Sequence, residues 1–409
     1  FYKNGFFIFT PKIHSFGGFF ESFLWGVKLR DFSKKKLILV IPFFDYFQHY
    51  KKNSKKFDYK IIFKLFSKLS FKEKMLSVFF SFWLNVNLLL IKFKIRGLIN
   101  KIFKINYTNK IIFHTLGFSD DYNNFNIKNI HLVYKNKIKS EILKQNIKDL
   151  KLNKDKKIIA LCIKDNNYEK IKKISSDACA DINNYSSSID YLIKKGFFVA
   201  RIGEPLMREF KYTDPNYIDF TKVKNYYEVF LNTLSQSSLY LGTSGSHVIV
   251  PELFSLNKRI VSNSHDFLYL NTCFSLDNIC IFKKIFDMRL RKFLSINEIY
   301  NNQELLDWGG HDNERYLFID NNSNEILELT IKALSNEEIS NHHNKNLEEF
   351  NRIRLKCLNK FYFEKNKPSR LYECAKTNIL DTFLDDFLYP NKKLNEISEK
   401  FIKDELGNK

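Results

Sequence analysis

Residues 157–163 read KIIALCI, residues 196–202 read GFFVARI, and residues 239–242 read LYLG. These runs lack the polar alternation of a half-wet strand, so they predict strands covered on both faces. Between the first two, Ile182, Tyr185, Ile189, Leu192 and Ile193 recur at helical spacing, and Gly196 stands where such a helix ends. A second helix near 226–235 leads to the strand at 239–241, a loop at 242–246, a helix through Leu256 and a strand at 259–262. Strands that alternate with helices predict a doubly wound parallel sheet.

The N-terminal part carries a similar but shorter pattern. Residues 5–10 (GFFIFT) predict a strand, residues 15–18 a Gly-containing loop, the stretch to Arg30 a helix, and residues 36–42 (KLILVIP) a second strand. Residues 46–110 show no clear period, 111–114 (IIFH) predict another strand, and 135–157, with nine Lys, a basic helix leading into a linker. Beyond 335 the pattern turns helical and polar, with helices expected at 347–361 and 371–388. The expected architecture is α/β, with two Rossmann-like doubly wound domains facing a cleft, at 1–150 and 151–335, and a helical C-terminal tail at 336–409. A length of 409 residues fits that count at ~150 residues per domain.

Composition narrows the function. The chain is 44% hydrophobic and 27% charged with 13 Gly, which excludes a disordered or fibrous protein. The net charge of +21 is uneven: residues 1–150 hold 28 Lys and Arg against 9 Asp and Glu, and residues 151–409 hold 38 against 36. The basic half suits an anionic lipid surface or a phosphate-bearing substrate, with a solvated Lys-rich face as the plain alternative. Nucleic acid is not the expected partner, because neither an aromatic-basic RNA motif nor a helix-turn-helix is present. Six Cys without a CxxC pair, and no His at ligand spacing, predict neither a zinc site nor a disulfide framework, and a reducing compartment. The sequence opens on Phe1 rather than Met, so its first residue is not read as a start of translation.

Residues 75–91 (MLSVFFSFWLNVNLLLI) run 17 positions without charge, flanked by Lys72, Lys74, Lys92, Lys94 and Arg96. The run falls short of the ~20 residues of a spanning helix. It reads either as a helix lying in a lipid interface or as a buried helix of the first domain.

In open α/β sheets ligands bind beyond the carboxyl ends of the strands, so the residues there are the site candidates. Gly242-Thr243-Ser244-Gly245-Ser246 leaves a strand and opens a helix, a setting in which backbone N–H groups and hydroxyls hold an anion; Ser246 could equally be a plain helix cap. Arg201 ends an apolar strand and needs an anionic partner there, either a diphosphate or a structural carboxylate. Gly203 follows it, Lys164 and Asp219 end neighbouring strands, and Glu252 lies two turns into the helix after the loop, within reach of a ribose hydroxyl.

These pieces resemble a family of bacterial surface-polysaccharide glycosyltransferases of GT-B-like fold, distantly similar to fucosyltransferase-like and heptosyltransferase-like folds. The resemblance rests on Asn184-Tyr185, residues 189–196 (IDYLIKKG), 199–205 (VARIGEP), 217–220 (YIDF), 241–246 (LGTSGS) and 294–299 (LSINEI), and more weakly on residues 13–17 (IHSFG). It covers a little under half the chain, and departs at Lys164 and Ala180, where the family tends to have Arg.

The resemblance implies transfer of a sugar from a nucleotide-activated donor to an acceptor hydroxyl of a surface glycan, without a metal or cofactor. Arg201, Gly203, Lys164, Thr243, Ser244, Gly245 and Ser246 would then meet the diphosphate, and Asp219 and Glu252 the nucleoside. His14 or Glu21 in the first domain would take the acceptor proton. The acceptor would be a glycan or lipid-linked sugar, and the setting cytoplasmic, on the inner face of the membrane. The competing expectation is a non-catalytic GT-B-like protein that binds membrane or nucleic acid through its basic half.

Overall fold

The computed structural model describes residues 6–9, 36–39, nine positions within 71–86, and 156–165, 179–223, 226–244, 246–253, 259–265, 267, 278–306, 312–335, 350, 352–354, 356–357 and 391–406. His14, Glu21, Gly245, the expected strand at 111–114 and the expected helix at 371–388 lie outside these residues. Two compact units emerge, Phe1–Tyr134 and Lys135–Lys409.

In the first unit, β1 (Phe6–Phe9) and β2 (Lys36–Leu39) pair in parallel, Phe6 opposite Lys36. A parallel pair needs a crossover between its strands.

The second unit is built on six parallel strands: β3 (Ile158–Cys162), β4 (Phe198–Arg201), β5 (Tyr217–Asp219), β6 (Ser237–Thr243), β7 (Arg259–Ser264) and β8 (Asn278–Phe282). Their order is β5-β4-β3-β6-β7-β8, that of a Rossmann-like sheet. Every residue of β3, β4 and β7 is buried, which is why these strands appear in the sequence as continuous apolar runs.

Helices flank the sheet. A 3-10 turn at Ile182–Tyr185, capped by the Asp181 carboxylate, enters α1 (Ser186–Lys194), which buries Ser188, Ile189 and Leu192. Gly196 closes α1 at φ +87°: its N–H bonds the Ile193 carbonyl, and the Phe197 N–H bonds that of Leu192. This paired closure needs a left-handed residue, and the helix stops where the sequence said it would. On the other connections, α2 (Tyr226–Gln236) lies against β3 and β6, and a 3-10 turn at Ser246–Ile249 continues as α3 (Val250–Leu253). The helix expected through Leu256 is described as far as Leu253, and its first turn is 3-10.

Several elements lay beyond the sequence patterns. β9 (Lys284–Asp287), β10 (Lys292–Phe293) and β11 (Tyr316–Ile319) form a small antiparallel sheet, with α4 (Ile296–Tyr300) and α5 (Gln303–Leu306) between β10 and β11. α6 (Ser323–Leu334) packs on α1 and the ends of β7 and β8. Finally α7 (Asn391–Phe401) returns to β10, where Phe401 joins Phe286 and Phe293 at ring separations of 4.8 and 5.3 Å. This helix of the tail therefore shares a core with the second unit.

Candidate functional site

The sheet order reverses between β3 and β6: successive strands run outward from β3 to β5 on one side, and from β6 to β8 on the other. Loops leaving the two central strands part at that point, and the crevice beyond their carboxyl ends is where such sheets hold ligands. The residues at that edge fall into three groups with different chemistry.

The first group surrounds Arg201, the last residue of β4 and 0% exposed. Nη1 donates to Asp219 Oδ2 (2.8 Å) and the Arg208 carbonyl (2.6 Å), and Nη2 to Asp165 Oδ2 (3.2 Å). The carboxylates are held in turn. Asp165 accepts from the Arg208 N–H at 2.5 Å, and Asp219 from the Thr221 N–H and hydroxyl at 2.8 and 2.7 Å. A guanidinium without solvent survives burial only when its charge is matched, and here two acids match it. Of the two partners left open by the sequence, the structure supplies the carboxylates. Arg201 and Asp219, assigned to the diphosphate and the nucleoside, are bonded to each other.

Gly203 makes that arrangement possible. Its φ of +155° suits only glycine, and a Cβ there would overlap the Met207 sulfur. The chain can thus fold back after β4 and bring the backbone of Arg208 to both Arg201 and Asp165.

The second group lies at β3 and β6. The Lys164 N–H donates to Thr243 Oγ1 at 3.1 Å, leaving the hydroxyl proton to donate, and the Lys164 side chain is half-buried. Gly242 and Thr243, expected in a loop, are the last residues of β6, paired with Val261 and Ser262 of β7. The reason is packing: a Cβ on Gly242 would overlap the Tyr240 hydroxyl and stand 2.7 Å from the Cys162 carbonyl. Ser244 is buried, and its hydroxyl meets His265 Nδ1 at 2.9 Å. That pairing turns it toward β7 rather than toward Lys164.

His247, in the 3-10 turn, is buried, and its Nε2 has no hydrogen-bond partner among the described residues. Burial first, and the Lys164 charge second, push its pKa well below 6.5, against a smaller opposing effect of the Thr243 backbone. The ring is neutral near pH 7 and carries a nitrogen able to engage a ligand. Burial also pushes the Cys162 thiol up to about 12, so it stays protonated and unreactive. Cys162, Cys179, Cys280 and Cys357 are all buried and in no disulfide.

A third polar cluster braces the same edge. Asn263, at φ 53°, and Asn321 exchange backbone-to-side-chain hydrogen bonds at 2.6 and 2.7 Å, and Asn263 Nδ2 donates to the Tyr185 hydroxyl at 3.0 Å. Lys283, at the end of β8, gives its ammonium to Asp320 (2.7 Å) and the Cys179 carbonyl (2.5 Å). Ala180, 0% exposed, is pinned by its N–H to the Lys164 carbonyl at 2.8 Å and is part of this core.

The structure therefore joins Lys164 to Thr243, and Arg201 to Asp219 beside Gly203. Ser246 and Glu252 lie in the turn and in α3, with side chains outside the described residues. His247 and His265 were not assigned from sequence. His247 directly follows the Gly-Ser loop and His265 directly follows a strand, so both met the strand-end rule. No group of three or more His, Cys, Asp or Glu suited to a metal occurs among the described residues, and no helix there is long and apolar enough to cross a membrane. No protein-family model, curated protein or solved structure matches this chain.

Proposed function

We propose that the chain is a glycosyltransferase of the two-domain GT-B type, which transfers a sugar from a nucleoside-diphosphate donor to a hydroxyl of a surface glycan. The observation that carries this reading is the reversal of strand order at β3 and β6, with Lys164 and Thr243 bonded across it. A departing diphosphate needs positive charge and preorganised donors. The Lys164 ammonium would supply the charge, the Thr243 hydroxyl and the backbone N–H groups after Ser244 the donors, and His247 Nε2 a contact to a donor hydroxyl. Arg201 acts here as a positioning residue that holds the loops after β3, β4 and β5 together. His14 or Glu21 of the first unit would take the acceptor proton, and the nucleotide-sugar is a co-substrate rather than a cofactor. The reaction would run on the cytoplasmic side, on a glycan or lipid-linked acceptor.

Thermal unfolding with UDP, GDP, CDP, ADP and CMP tests the proposal, since a ligand of the folded state at 100-fold its Kd stabilises by about 2.7 kcal/mol. One nucleoside diphosphate should raise the midpoint, the shift should vanish in Lys164→Ala, and it should shrink in Thr243→Val. A folded wild type unmoved by all five would reject the donor site and favour the non-catalytic alternative.

A further inference from the structure

A helix in the first unit carries an exposed apolar stripe. At residues 71–86 the described positions are helical, and Phe71 (80% exposed), Met75 (57%), Val78 (57%), Phe79 (61%) and Phe82 (70%) lie open, whereas Ser77 and Ser81 are buried. At 100° per residue the five apolar side chains fall within an arc of about 100°, and that stripe is about 16 Å long. Ser77 lies about 150° from the centre of that arc and Ser81 about 110° from it. Ordinary surface helices bury their apolar stripe and expose their hydroxyls, so this face calls for an apolar environment outside the protein.

We infer that this face is a docking surface for an anionic membrane, with the helix lying in the headgroup region and the Phe and Met side chains entering the acyl boundary. Charge complementarity selects that occupant. Residues 64–96 contain seven Lys and Arg against one acid, Glu73, and the whole unit 1–134 has 23 against 7. A partner protein with an apolar groove would meet the Phe residues but gain nothing from so basic a flanking sequence, whereas anionic lipid answers both features. The uncharged run of 17 residues at 75–91 is too short to span, and it suits a helix held parallel to the surface. Two weak signals, inserted aromatics and basic charge, together give stable yet reversible attachment.

The test is cosedimentation of the full chain with vesicles of phosphatidylcholine alone and of phosphatidylcholine containing about 30% phosphatidylglycerol, at low and high salt. Wild type should bind the anionic vesicles at least roughly tenfold more tightly than the neutral ones, and release as salt screens the lysines. The triple variant Phe71→Ser, Phe79→Ser, Phe82→Ser should keep its unfolding midpoint and bind roughly tenfold more weakly or worse. If the triple variant does not fold, the single variants Phe71→Ser and Phe82→Ser serve, each with a proportionate loss. Equal binding by variant and wild type would overturn the inference. So would absence of binding to anionic vesicles, or a wild-type dimer that becomes a monomer in the triple variant, which would assign the face to a second copy. Nucleotide is absent throughout, so the result is independent of the donor site.

Discussion

Arg201 shows how one residue's partners redirect an assignment. Its guanidinium has Asp165 and Asp219 within 3.2 Å and no solvent, so Arg201→Ala removes the cation between the buried Asp165 and the part-buried Asp219. Breaking such a pair costs about 3–5 kcal/mol, and the expected result is a large fall in the urea midpoint rather than a folded protein with lost ligand affinity. An unchanged midpoint would mean that the acids do not need the cation. Lys164→Ala, at a half-buried position, is the cleaner probe of phosphate binding.

His247 yields a pH dependence with a definite sign. Its folded pKa lies below 6.5, so the unfolded chain takes up the proton first as pH falls. Stability is full above about pH 6.5 and declines below it until the folded pKa is reached, at no more than about 1.4 kcal/mol per pH unit. Denaturation of wild type and His247→Gln between pH 7 and 5 should show a shallower loss in the variant; parallel curves would place the effect elsewhere.

At the scale of elements, the legible ones were those whose burial repeats along the chain. β3 and β4 are sealed on both faces, and α1 carries its apolar stripe and its Gly196 stop, so all three were readable from residues 157–202. β9, β10 and β11 were not. They are two to four residues long and partly exposed, and a short strand shows no period before it ends. α6 does carry a local signal, Asn322 with Glu325, and the two side chains form a reciprocal cap on its first turn. Asn322→Ala should cost about 1 kcal/mol in unfolding free energy, because the Glu325 N–H loses its acceptor. A change near zero would show that the Glu325 half of the cap suffices.

At the scale of the molecule, the second unit closes its own core. The six-stranded sheet, the helices on it and the returning α7 all lie within Lys135–Lys409. Residues 135–409 expressed alone should therefore unfold in one cooperative transition, seen by circular dichroism. A non-cooperative melt would show that it needs the first unit.

The sequence by itself determined the alternation of strands and helices in the second unit, the end of α1 and the concentration of positive charge in the first 150 residues. Each is a property of neighbouring residues or of a sum over them, and apolar burial on both faces of a strand leaves its mark directly in the order of side chains. Only the tertiary structure decided that the Arg201 charge belongs to Asp165 and Asp219, 36 and 18 residues away, and that Ser244 meets His265. Those pairings follow from which strands lie side by side. Strand order is chosen by the packing of the whole sheet, and no local spacing encodes it.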